Sequence, residues 1–248
     1  MRIEVKYLLI ILLILSSGVV YYSATDNSQD SGIIKREVFV SRVIDGDTIQ
    51  LNSQERIRLL GINTPEKNMP YHDEAMNFLA KAIEGKKIML ESFYGKDKDK
   101  YGRTLGYVIL NDVLVNEQVL NSGFANLYVY DEDLHYQELK TAEETARQNE
   151  IGLWKKSPET SCLKLIELKW NEGAKRCTNN EQLVLENSCN KTLSVIIKDS
   201  ANHIDKERLN PGIFTKNYSC VWNDAGDSLT VRDEQGLLLY YNYRESQY

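Results

Sequence analysis

Positive charge is what this 248-residue sequence lacks: 30 Lys and Arg stand against 36 Asp and Glu, giving a formal charge of -6 and a pI near 5.3. A protein that grips nucleic acid over a general basic surface needs clustered Lys and Arg. That class is excluded, and any nucleic-acid contact has to be local. Histidine is scarce as well, and His72, His135 and His203 sit in no metal or triad motif, so each reads as a surface or structural residue. No cysteine precedes Cys162, and neither an internal repeat nor a low-complexity tract interrupts the chain. Global disorder is excluded too, because the 42% of hydrophobic residues can bury an ordinary core and leave room for two modest domains.

One strongly apolar run is present. Residues 1–24 carry Arg2 and Lys6, then Tyr7 to Leu15, and after Ser16-Ser17-Gly18 a second patch from Val19 to Tyr22. This pattern reads as an export segment, a signal peptide or membrane anchor. Ser16 and Gly18 suit a peptidase, whereas the extension to Tyr22 approaches the roughly 17 to 25 residues that span a bilayer and favours an uncleaved anchor. The expected location is outside the cell, secreted or held on the outer face of the membrane. Cys162, Cys177, Cys189 and Cys220 are an even number downstream of that segment, so two disulfides are expected. Zinc is the competing reading, but the spacings contain no C-x-x-C knuckle and no nearby histidine pair. Three pairings of the four cysteines stay open.

The polar, Ser-rich stretch Thr25 to Gly32 predicts a tether, with folding starting near Ile33. Residues 37–60 alternate as strands around the turn signals Asp45-Gly46 and Asn52-Ser53. Tyr71 to Glu84 places Ala75, Phe78, Leu79, Ala82 and Ile83 on one helical face and stops at Gly85. Strands are expected at Lys87 to Ser92 and Arg103 to Leu110, a short helix at Leu114 to Asn121, and a third helix at Leu134 to Gln148 with Leu139, Ala142 and Ala146 inward. Trp154 is expected to close that core. The fold class is mainly β with α: an OB-type five-stranded barrel with three helices over residues 35–156. After the linker from Lys155 to Ser161, short strands such as EQLVLEN, LSVIIKD and LLLYYNY over 162–248 predict an immunoglobulin-like β-sandwich.

Three clusters carry chemistry. Asp45-Gly46-Asp47-Thr48 and Asn63-Thr64-Pro65-Glu66 both lie where a strand meets a turn, and they offer the hard oxygen donors a divalent ion such as calcium needs. The first tetrad alone is also ordinary turn chemistry. Arg58 and Arg103 lie on neighbouring strands, where two guanidinium forks suit a phosphoryl group gaining charge. Tyr101, Tyr128 and Tyr130 offer phenolic hydroxyls and stacking faces, which supply affinity without a basic surface.

VIDGDTIQL, RIRLLGINTPE, DKYGRTLGYV, VNEQVLNSGFANLYVY and EIGLW, in this order over residues 37–156, resemble the thermonuclease (staphylococcal nuclease) family. The resemblance implies an OB-type barrel and calcium-dependent hydrolysis of DNA and RNA that leaves 3′-phosphates. It implies Asp47 as a calcium carboxylate and Thr64 as a carbonyl ligand, Arg58 and Arg103 as phosphate-binding arginines, and Glu66 as the residue that activates or orients water. Lys100, Tyr101, Tyr128 and Tyr130 then line the substrate groove. One departure stands out: the family's second calcium carboxylate is here Asn63, which keeps an oxygen donor but removes a negative charge and should weaken the ion site. With less specificity, residues 162–248 resemble the lamin-tail domain, through Asn180 to Asn187, Leu209 to Gly212 and Val221 to Asp233. That implies a targeting or adhesive module of unknown ligand. The alternative function is a nucleic-acid-binding or surface adhesion protein whose nuclease-like barrel has little turnover.

Overall fold

In the computed structural model the described residues are 32–94, 98–128, 134–170, 181–201, 203–222 and 227–243. Residues 1–31, where an export segment and its tether are expected, lie outside them, as do Tyr130 and Cys177. No helix among the described residues is long and apolar enough to cross a membrane.

The first half begins with β1 (Ile33–Asp45), a 13-residue strand whose register shifts twice, and continues with β2 (Thr48–Leu51), β3 (Arg56–Leu59) and β4 (Gly61–Asn63). Then come helix α1 (His72–Ile83), β5 (Lys87–Phe93), β6 (Thr104–Leu110), β7 (Val113–Leu114), α2 (Val115–Asn121), β8 (Asn126–Tyr128) and α3 (Tyr136–Gln148). Bulges increase strand twist, and β1 uses them to serve two partners, pairing β5 along Ile33–Phe39 and β2 beyond Val40. Parallel pairing of β3 with β6 closes β1, β2, β3, β6 and β5 into the expected five-stranded barrel. Alternation fills it: Ile49, Leu51, Ile57, Leu59, Leu90 and Val108 are buried inside.

The helices cover the barrel through the faces read from their spacing, Ala75, Leu79 and Ile83 on α1 and Leu139, Ala142 and Ala146 on α3, all of them buried. Gly46, in the β1–β2 turn, lets α1 and the Thr64 loop approach closely. A Cβ there would sit 2.7 Å from Ala75 Cβ and 2.8 Å from Thr64 Cβ.

The second half holds β9 (Leu163–Lys169), β10 (Glu181–Asn187), β11 (Leu193–Lys198), β12 (Ile204–Leu209), β13 (Gly212–Tyr218), β14 (Asp227–Arg232) and β15 (Leu237–Tyr243). A three-stranded sheet, β13-β10-β9, and a four-stranded sheet, β12-β11-β14-β15, enclose one core built on Leu183, Leu185, Ile197, Leu229 and Val231. The strands β12 and β13 have no counterpart among the sequence expectations, because IDKERL is mostly charged and its burial alternates only weakly.

Cys162 and Cys189 form a disulfide across 27 residues, and Cys220 is disulfide-bonded as well. Zinc is thereby ruled out for the Cys162–Cys189 pair, since both sulfurs are bonded to each other although Glu159 lies beside them. A crosslink of this loop length stabilises chiefly by restricting the unfolded chain. Reducing the bridges is therefore expected to lower the stability of the sandwich by about 3 kcal/mol per bridge, as read by thermal melts with and without reductant. Four reactive thiols in the native protein would contradict this.

The two halves are packed on each other. The 155–161 stretch, expected to be a linker, is woven into the second half: Leu237 N donates to Lys155 O at 2.8 Å and Ser157 N donates to Leu237 O at 2.9 Å. Arg232 donates through Nη1 to Leu153 O. Trp154 does not close the barrel core as expected. It is buried in a separate cluster with Ala146, Leu237 and Tyr240, its ring edge-on to Tyr240 with centroids 5.1 Å apart. The described residues from Gly32 onward thus form one compact unit with two main cores.

Candidate active site

The β1–β2 turn delivers Asp47 to the open end of the barrel, and antiparallel pairing sets Thr48 opposite Arg58. Ile57 and Leu59 are fully buried, so the strand's period of two turns Arg58 away from the core. Asp47 is itself 7% exposed and accepts from three directions. Arg58 Nε lies 3.1 Å from its Oδ1 and Thr48 Oγ1 donates to the same oxygen at 3.2 Å. Thr64 donates to Oδ2 through both its N–H and its hydroxyl, each at 2.9 Å. Arg58 is clamped further: Nη1 donates to Leu59 O and to Ile62 O at 2.8 Å, and Nη2 to Asn63 Oδ1 at 3.3 Å.

Arg103 reaches the same network from the other side. Its Nη1 donates to Thr48 Oγ1 at 3.3 Å and its Nε to Asp99 Oδ2 at 2.7 Å. Burial pushes the Asp99 carboxyl up, but Arg103 and the N–H groups of Arg103 and Tyr101 outweigh it and hold it below the usual carboxylate range. The exposed ring of Tyr101 lies under both Arg103 and Lys100, at 5.5 and 5.1 Å from its centroid. Arg58, Asp47, Thr48 and Arg103 therefore form a continuous chain in which both guanidinium groups are oriented before any substrate arrives. One Nη2 hydrogen of Arg58 and the Nη2 group of Arg103 have no partner among the described residues.

Glu66 is exposed on the loop after β4, and its carboxylate makes no hydrogen bond or ion pair among the described residues. Its loop is held by the Met69 N–H bond to Glu66 O at 3.0 Å and by the His72 ring, whose Nδ1 lies 2.8 Å from Pro65 O. A carboxylate open to water on a fixed loop can take a proton from an attacking water. Tyr128 is half-buried on β8, which pairs with β4 and so lies beside the Asn63 loop.

The oxygen donors fit a hard divalent cation. Asp45 and Asp47 carry surplus negative charge: burial, and behind it the charge of Asp47, pushes the Asp45 carboxyl above its usual range. The Asn63 amide oxygen and the Thr64 carbonyl belong to the adjacent loop. Asp47 already commits its lone pairs to Arg58, Thr48 and Thr64, so a bound cation would exchange with at least one of them.

Sequence reasoning missed several of these supports. Asp99 carried a signal, standing four residues before Arg103, whereas Thr48, read in the first acidic cluster, and His72, read as a surface or structural residue, gave no sign of their partners Arg103 and Pro65. The C-terminal turn at Ser200 and Ala201, which meets Asn63, carried no signal at all.

A small five-stranded barrel with paired arginines, an acidic cluster and a water-exposed carboxylate at one rim is the layout of a hydrolase acting on phosphate esters. Residues 56–156 match the family described as staphylococcal nuclease homologue. The chain is 35% identical over 144 residues to a thermonuclease of Staphylococcus intermedius, covering 54% of this chain and 82% of that one. It is 35% identical over 125 residues to a thermonuclease of Staphylococcus hyicus, covering 46% and 73%. With endonuclease YncB of Bacillus subtilis (strain 168) it shares 32% identity over 131 residues, 48% of this chain and 62% of that one. The chain belongs to the staphylococcal nuclease family and is a nuclease hydrolase.

Proposed function

We propose that this protein is an exported, calcium-dependent nuclease that hydrolyses phosphodiester bonds in DNA and RNA and leaves 3′-phosphates. The observation that carries the reading is the Arg58–Asp47–Thr48–Arg103 chain beside the exposed Glu66. Arg58 and Arg103 donate their remaining N–H groups to the non-bridging oxygens, which gain charge as water attacks phosphorus. Glu66 takes a proton from that water. The water oxygen bonds to phosphorus, the bond to the 5′-oxygen breaks, and the departing oxygen gains a proton from solvent. Asp47, Asn63 and Thr64 would hold the calcium ion, which when bound supplies positive charge to the same oxygens. Lys100, Tyr101 and Tyr128 would line the neighbouring groove, together with Tyr130. The C-terminal sandwich resembles a lamin-tail domain, consistent with a targeting or adhesive role, and the N-terminal segment would export or anchor the chain.

A gel assay of DNA and RNA degradation tests this. Cleavage that depends on calcium, is lost with chelator and yields 3′-phosphate ends is expected. Tight nucleic-acid binding without turnover would instead favour a binding module.

A further inference from the structure

Asn63 faces two ways. Its Oδ1 accepts from Arg58, while its Nδ2 donates to Ser200 O at 3.1 Å and Ala201 O at 2.9 Å, both in the turn between β11 and β12 of the C-terminal sandwich. The orientation of the amide follows from its partners, because the reversed amide would set oxygen against two carbonyls and hydrogens against a guanidinium. Asn63 is 8% exposed, so these bonds are made away from bulk water.

The turn is itself built rather than loose. Ser200 N donates to Asp227 Oδ1 at 2.9 Å and His203 N to Asp199 Oδ1 at 2.9 Å. Lys198 folds back to donate through Nζ to Asp199 O and Ala201 O. Burial lowers the Lys198 ammonium against the charges of Asp199, Asp227 and Glu66, so the turn lies within electrostatic reach of the proposed base. Lys198 also lines a small pocket with Asn63, Thr64 and Pro65.

We propose that the Lys198–Ala201 turn is a wall of the nuclease cleft, fastened by the Asn63 amide, which limits how a long polynucleotide runs past the site. The proposal rests on the nuclease reading above and supplies a reason for the amide at position 63. A carboxylate there can accept from Arg58 but cannot donate to two carbonyls, whereas an amide does both while its oxygen stays on the side of the acidic cluster. A dinucleotide is small enough to reach the arginines without passing the turn. A long duplex, whose phosphates run on past the arginines, has to pass it.

The test uses the full chain with Asn63→Asp, read in two ways. Hydrogen exchange in chelator follows the Ser200 and His203 amides, and kcat/KM with calcium compares a long DNA duplex with a dinucleotide. Loss of both donated bonds is expected to speed exchange at these amides by about tenfold and to raise the duplex-to-dinucleotide ratio several-fold. Gly236→Ala gives a second route to the same release without altering a residue of the site. A Cβ at 236 would lie 2.5 Å from Lys155 O and wedge the junction of the two halves. If Asn63→Asp does not fold, Asn63→Ala and Gly236→Ala carry the test. Unchanged exchange in the folded variants overturns the tether, and faster exchange with an unchanged ratio overturns the wall. A wild-type protein that cleaves neither substrate would refute the nuclease reading instead, while the exchange data still decide the tether.

Discussion

Replacing Arg103 by alanine is expected to lower kcat on DNA by two to three powers of ten or more, the usual scale for removing one donor to a transition-state oxyanion, about 3 kcal/mol or more. The same holds for Arg58→Ala, with a difference in its side effects. Arg103 is half-exposed and leaves behind Asp99, which keeps two backbone donors. Arg58 leaves a buried Asp47 without its ion-pair partner and frees the carbonyls of Leu59 and Ile62, so some stability goes with the activity. Glu66→Gln separates chemistry from folding best, because the carboxylate is exposed and bonds to nothing among the described residues. Its rate should fall by several powers of ten with an unchanged melting temperature, since both proton acceptance and charge are lost. Steady-state rates of the three purified variants at saturating calcium, alongside their thermal melts, check this. Near-normal turnover in any folded variant removes that residue from its assigned role.

Trp154→Ala is the substitution expected to cost the most stability, about 3 to 5 kcal/mol, the range for truncating a buried aromatic. The ring is 2% exposed and sits at the junction, between Ala146 of α3 and Leu237 and Tyr240 of β15. Arg147 lies over both rings, 4.8 Å from the centroid of Tyr240 and 5.9 Å from that of Trp154, so the loss includes a partly desolvated cation–π contact. The two main cores have separate residue sets and are not touched directly. The expected signature in calorimetry is therefore specific: unfolding lowered in temperature and split into two transitions, as barrel and sandwich lose their mutual packing. A single transition shifted by less than a few degrees would show that Trp154 does not couple them.

Trp154 also marks where sequence reasoning stopped. An aromatic after α3 was legible as buried, because a large apolar ring at the end of a domain has to find cover. Its partners were not legible, since Leu237 and Tyr240 are more than eighty residues away and no periodicity links them to position 154. The linker reading of 155–161 failed for the same reason: its polar composition matches a solvated segment, yet its backbone groups pair with Leu237. The missed strands β12 and β13 show the converse, segments with few buried side chains held extended by their neighbours in the sheets rather than by their own pattern.

By itself the sequence determined the barrel, its three helices and the identity of the groups at its rim. These follow from local rules: alternation buries Ile57 and Leu59 and so exposes Arg58, helical spacing selects Ala75, Leu79 and Ile83, and turn chemistry sets Asp47 and Thr64 at strand ends. Tertiary structure alone decided that Arg58 and Arg103 are joined through Asp47 and Thr48, and that Asn63 is bonded to a turn 137 residues further along the chain. Such contacts depend on how two independently patterned cores pack, and a pattern of burial states that a face is covered without stating what covers it.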